Sequence, residues 1–84
     1  MLAAACVLVV LMVTHPPALW WALGTLTVGI VFMAELFNAA LETLADHLHP
    51  EEHPEIGAAK DIAAGSVLVA ALIALLVAVA FLLR

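Results

Sequence analysis

The chain has 84 residues, of which 68% are hydrophobic and only 11% charged, with a mean hydropathy of +1.28. That is room for one small domain, and a water-soluble domain of this size cannot hide so much apolar surface. The formal net charge is −5 and Lys60 and Arg84 are the only Lys or Arg residues, which excludes binding to a nucleic-acid backbone. Cys6 is the only cysteine, so no internal disulfide forms, and its apolar surroundings suit a thiol that packs as a small hydrophobe.

The first predicted element is the apolar run 1–14, closed by His15-Pro16-Pro17, where the double proline ends any helix. At 1.5 Å per residue it reaches about 21 Å, short of the roughly 30 Å hydrocarbon core, so it reads as the remnant of a spanning helix. A signal peptide is the competing interpretation, but no basic segment precedes the run and no small-residue cleavage pattern follows it. The apolar start and short span point instead to residues lost from the N-terminus.

The second element starts at Ala18 with Trp20 and Trp21 close behind, the placement of aromatic anchors at a membrane interface. All 17 residues of 18–34 are uncharged, with small residues at Gly24, Thr25, Thr27, Gly29 and Ala34. Small positions let neighbouring helices approach, although they are also ordinary membrane-helix composition. Nothing breaks the helix at Glu35, so it is expected to run on past the membrane surface to 48. The segment 49–56, with two prolines and three glutamates, reads as a polar loop. The third helix is expected over 57–84, and its stretch 62–83, polar only at Ser66, spans about 33 Å, a full crossing. The predicted fold is therefore all-α and integral to the membrane, one domain of three transmembrane helices with the first shortened.

All seven acidic residues, three of the four histidines and the single lysine fall within 35–61. Glu35, Asn38, Glu42 and Asp46 recur at spacings of three and four, which confines them to an arc of about 80° on the second helix. Glu35 follows directly on the apolar run and sits at the hydrocarbon boundary. A carboxylate there is costly and either snorkels to water or serves a site, where it would be a candidate general base for an interfacial hydroxyl. Lys60 and Asp61 open the third helix at the same end. Two interpretations of Lys60 stay open: an ion pair that ties the hairpin, or a cation for phosphate beside metal-binding carboxylates. No GxxxxGK[ST] loop and no protein-kinase signature is present. His47, His49 and His53 with Glu51 and Glu52 fit no defined zinc spacing and also suit a solvated loop.

The run Glu35-x-x-Asn38-x-Ala40-Leu41-Glu42-x-x-x-Asp46, then His53-Pro54, then Ala59-Lys60-Asp61-x-Ala63-Ala64-Gly65-x-Val67-Leu68 resembles the signature of the small bacterial membrane lipid kinases, the family of prokaryotic diacylglycerol kinase and undecaprenol kinase. The detailed match covers about 34–70. The resemblance implies that Glu35 is the general base, that Glu42 binds Mg²⁺ and ATP, that Asn38 lies between them, that Lys60 and Asp61 contact ATP, and that Glu51 and His53 flank the nucleotide. Asp46 is given a supporting place only. It further implies a homotrimer in the bacterial inner membrane, with the polar end cytoplasmic and active sites between subunits.

Two departures stand out. Members of that family carry, ahead of the first membrane helix, an amphipathic surface helix with a further metal-binding Glu and lipid-contacting Arg residues, which are missing before Met1; and Ala39 replaces a usual Thr or Ser. The leading expectation is thus ATP- and Mg²⁺-dependent phosphorylation of a membrane lipid alcohol, diacylglycerol or undecaprenol, in phospholipid or lipid-carrier metabolism. The alternative is a non-catalytic truncated fragment or assembly partner. A proton-conducting subunit built on Glu35 would leave Lys60 and Asp61 unexplained.

Overall fold

A computed structural model describes residues 2–51 and 53–84; Met1 and Glu52 lie outside it. The described residues form three helices in sequence: α1 (Leu2–Thr14), α2 (Ala18–Leu48) and α3 (Pro54–Leu83). They make a rod of 50 × 20 × 16 Å. α2 and α3 are long and apolar enough to cross a membrane, whereas α1 is an apolar helix of 13 residues.

The antiparallel pair α2 and α3 is the body of the fold. On α2, positions 20, 24, 27, 31, 34, 38, 41 and 45 are all buried or half-buried, and on α3 so are 63, 67, 70, 74, 77 and 81. Both series alternate steps of four and three, the 3.5-residue repeat that keeps one stripe of each helix turned to the other. Alanine is the commonest residue of this seam, at Ala34 and Ala45 on one side and Ala63, Ala70 and Ala74 on the other, and Ala70 is only 3% exposed. Small side chains bring the backbones close, which matters where lipid tails are as apolar as leucine and the gain comes from packing rather than from leaving water. The outward faces carry Leu36, Phe37, Leu68, Leu72, Leu75 and Leu76, all exposed, a surface suited to hydrocarbon.

Each end of the hairpin has its own fastening. At the end where α2 begins, the Trp20 and Phe81 rings meet edge to face at 5.4 Å between centroids, and the Arg84 guanidinium lies 3.9 Å from the Phe81 centroid. Such contacts add on the order of 0.5–1.5 kcal/mol to simple burial. At the other end Lys60 pairs with Asp46.

α3 begins at Pro54, three residues before the composition alone suggests. Proline is compatible with the first helical position because its missing N–H has no intrahelical partner there. The His53 ring completes the cap: its Nδ1 accepts a hydrogen bond from the Glu55 N–H at 3.2 Å. Hydroxyls inside the apolar helices are satisfied locally, Thr27 donating to the Leu23 carbonyl at 2.6 Å and Ser66 to Ala63 at 2.6 Å.

α1 turns back along α2 through His15, which has φ of 47° and donates its N–H to the Leu11 carbonyl at 3.1 Å. This left-handed residue ends α1, and Pro16 and Pro17 direct the chain into α2. α1 docks where α2 has Gly24: a Cβ built there would lie 3.1 Å from Leu11 Cδ1 and 3.5 Å from Val7 Cγ1. Leu11 is 6% exposed. We therefore expect Gly24→Ala to be tolerated within about 1 kcal/mol, the helix-propensity gain offsetting the crowding of a movable leucine tip. Gly24→Leu should displace α1 and cost roughly 1–3 kcal/mol. Detergent-unfolding titrations of the two variants test this, and a Gly24→Leu protein as stable as its parent would refute the close approach.

Candidate functional site

The polar stripe of α2 lies along one edge of the seam. Asn38 belongs to the seam itself, while Glu35, Glu42 and Asp46, each displaced by roughly 70–110° from its centre at 100° per residue, are exposed beside it. Glu35 and Glu42 stand about 10 Å apart along the axis and Asp46 is a further 6 Å or so up. Asn38 is half-buried, and its Oδ1 is buried with no hydrogen-bond partner among the described residues. An orphaned carbonyl of that kind costs about 1–3 kcal/mol, and its retention in an alanine seam calls for a reason beyond packing.

From α3, Lys60 reaches across: its Nζ donates to Asp46 Oδ1, with the two side chains 34% and 63% exposed. The hydrogen bond that Lys60 donates to Asp46, aided by the negative charges of Asp46 and Glu42, holds the ammonium above its ordinary pKa of 10.5 despite some desolvation. Because the folded value is raised, the contribution of this pair through Lys60 is fully present below pH 10.5 and is lost only as the pH climbs through the raised value. Lys60 is therefore a fixed cation at neutral pH.

The other candidates are placed less centrally. Asp61, a further 100° round α3 from Lys60, is exposed and has no hydrogen bond or ion pair with the stripe among the described residues. Glu51 is exposed in the bend after α2. His53 caps α3 and its ring lies 5.7 Å from that of His49, centroid to centroid. His47 is exposed on the last turn of α2. Glu52 is outside the described residues. Among the described residues no three His, Cys, Asp or Glu side chains gather into a metal cluster. Glu42 remains an exposed oxygen donor beside Lys60, which suits a hard cation that needs only one or two protein carboxylates when it arrives with phosphate.

Sequence patterning did not reveal what lies below the stripe. A groove of about 510 Å³ runs between α1 and the hairpin, lined among others by Val10, Val28, Val31, Ala71 and Ala78 and floored by Trp20 and Phe81. Val31 and Val28 lie one and two turns below Glu35 on the same face of α2, and Ala71 and Ala78 repeat the facing of Lys60 on α3 at intervals of eleven and eighteen residues. The polar stripe and the apolar groove thus occupy one face of the hairpin, with Glu35 at their junction. The signal was present as alanines at 71, 74 and 78, but only the position of α1 makes them one wall of a groove.

The family model of prokaryotic diacylglycerol kinase matches residues 1–82. The undecaprenol kinase of Bacillus subtilis (strain 168) is 38% identical over 76 residues, covering 89% of this chain and 62% of the relative. The chain therefore spans under two thirds of that relative's length. No solved structure matches it. With a family model matched across nearly its whole length and the acidic stripe and lysine in place, the chain belongs to the prokaryotic diacylglycerol kinase family.

Proposed function

We propose that this chain carries the catalytic face of a membrane lipid kinase, which moves the γ-phosphoryl group of ATP to the hydroxyl of a lipid alcohol such as diacylglycerol or undecaprenol. The observation that supports it most is the junction at Glu35: charged groups able to handle a nucleotide stand above, a hydrocarbon-lined groove lies below, and one carboxylate sits between. α2 and α3 cross the bacterial inner membrane and α1 lies within it, with the polar end and the extension of α2 cytoplasmic.

In this reading the lipid hydroxyl lies beside Glu35, whose carboxylate takes its proton as the oxygen bonds to the γ-phosphorus and the bond from that phosphorus to the bridging oxygen of ADP breaks. Lys60 offers a fixed positive charge to the phosphates, exchanging or sharing its Asp46 partner. Glu42 would hold Mg²⁺ together with the nucleotide; when bound, that ion neutralises charge on the phosphate oxygens. Asp61, Glu51 and His53, at the same end of the hairpin, flank the nucleotide, and Asn38 presents its unpartnered oxygen to the reacting groups. Glu35 and Glu42 are exposed in the single chain, which supports a homotrimer whose neighbouring subunit completes each site.

In vesicles supplied with Mg-ATP and a lipid alcohol, Glu35→Gln is expected to lower the turnover of the lipid phosphate by about 10²–10⁴-fold. Turnover equal to the parent's would sink the base assignment. Lys60→Met should raise the KM for ATP at least several-fold while leaving the unfolding transition nearly unmoved, because an exposed ion pair contributes little to stability; an unchanged KM would mean that Lys60 only ties the hairpin. Asn38→Leu should be neutral or stabilising by about 1 kcal/mol, as the orphaned oxygen disappears, yet lose most activity. Retained activity in Asn38→Leu would make that residue a packing element.

A further inference from the structure

The structure assigns to His53 the part of a proton-sensitive latch: neutral, its ring closes the first turn of α3, and protonated it releases that turn. Nδ1 accepts the Glu55 N–H at 3.2 Å, so the ring offers a lone pair at this nitrogen and the proton of the neutral form sits on Nε2. An imidazolium carries N–H at both nitrogens and accepts nothing. Histidine is the side chain that changes charge within about pH 5–8, so this cap holds towards the alkaline end of that range and is lost as the pH falls. Ser, Thr or Asn, common residues at the capping position, would close α3 across the whole range.

The groups around the ring set the direction of the response. Pro54 has no N–H, and Gly57 already donates to the His53 carbonyl at 2.8 Å. The ring therefore serves one of the two donors of the first turn, Glu55 and Ile56, that lack an intrahelical acceptor. A positive ring there also opposes the dipole of α3, whereas His49, whose N–H donates to the Ala45 carbonyl at 2.8 Å, stands at the end of α2, where a cation is favoured. The His49 and His53 rings face each other with 5.7 Å between centroids, and two charged rings at that spacing repel. Among the described residues, Glu51 in the bend and Glu55 in the first turn are exposed; either carboxylate can pair with a charged ring, but neither returns a lone pair to Nδ1. His47 is exposed on α2, and Asp46 is engaged by Lys60. Acid thus loosens the start of α3 and leaves the end of α2 in place. In the lipid-kinase reading above, the freed stretch flanks the nucleotide, so ATP binding weakens on release; that consequence rests on the reading, and the latch itself does not.

Nitrogen NMR of the isotopically labelled full chain in detergent micelles tests the latch, through the ring-nitrogen shifts of His53 and the exchange of the Glu55 amide corrected for its intrinsic rate. At about pH 7.5 the neutral ring should carry its proton on Nε2, and the Glu55 amide should exchange roughly fivefold more slowly than in His53→Ala. At about pH 5 that difference should vanish. His53→Asn, whose Oδ1 stands where the ring has Nδ1 and does not titrate, should keep the protection at both pH values, and His47→Gln should respond as the parent does. A neutral ring protonated on Nδ1, equal protection of the parent at both pH values, or an equal loss in His53→Asn would overturn the proposal. Turnover is read separately: with Mg-ATP and a lipid alcohol, the parent's KM for ATP should rise more on acidification than that of His53→Asn, and equal rises would overturn the link to the nucleotide. A parent without turnover at either pH, whose Glu55 protection still follows the proton, would remove the kinase and leave the latch standing. An active parent with constant protection would do the reverse.

Discussion

The alanine-rich seam between α2 and α3 is the contact from which the rest of the molecule follows. In hydrocarbon there is no gain from hiding leucine, so helices associate through close packing, and the 3.5-residue repeat of small and half-buried positions from 20 to 45 and from 63 to 81 supplies it. Bulkier residues at Ala70 or Ala74 would hold the backbones apart. The large side chains are displaced to the outside, where lipid solvates them, and the aromatic and ionic fastenings at the two ends resist sliding of one helix along the other.

That seam also sets which groups meet. Because the hairpin is antiparallel, the start of α3 lies beside the end of α2, and Lys60 comes within reach of Asp46 and the field of Glu42. The same register brings Phe81 to Trp20, roughly 30–40 Å away along the two helices. A rotation of α3 by about 100° about its own axis would take Lys60 away from the stripe and Ala71 and Ala78 away from the groove together, since all three share a facing. The polar end of the hairpin and its apolar groove are therefore coupled through one helix.

Asn38 shows the cost of this arrangement. It occupies a seam position that alanine fills elsewhere, and it leaves a buried oxygen without a partner. Local rules of packing and polar satisfaction are broken here, between Glu35 and Glu42, and such conflicts concentrate where function rather than stability selects the residue.

Much of the fold was legible in the residues. Hydropathy marks the apolar runs, Pro16 and Pro17 stop α1, and spacing alone puts Glu35, Asn38, Glu42 and Asp46 on one stripe, because each of these depends only on the local geometry of a helix. The start of α3 was read three residues late because a histidine cap is not a strong sequence signal, although Pro54 hinted at it. Tertiary structure alone decided that Lys60 joins the stripe while its neighbour Asp61 turns away, and that α1 docks at Gly24 to wall a groove under Glu35. Those outcomes depend on the rotation of each helix about its own axis and on the close approach of two backbones, and neither is encoded in the hydropathy or the spacing of a single helix.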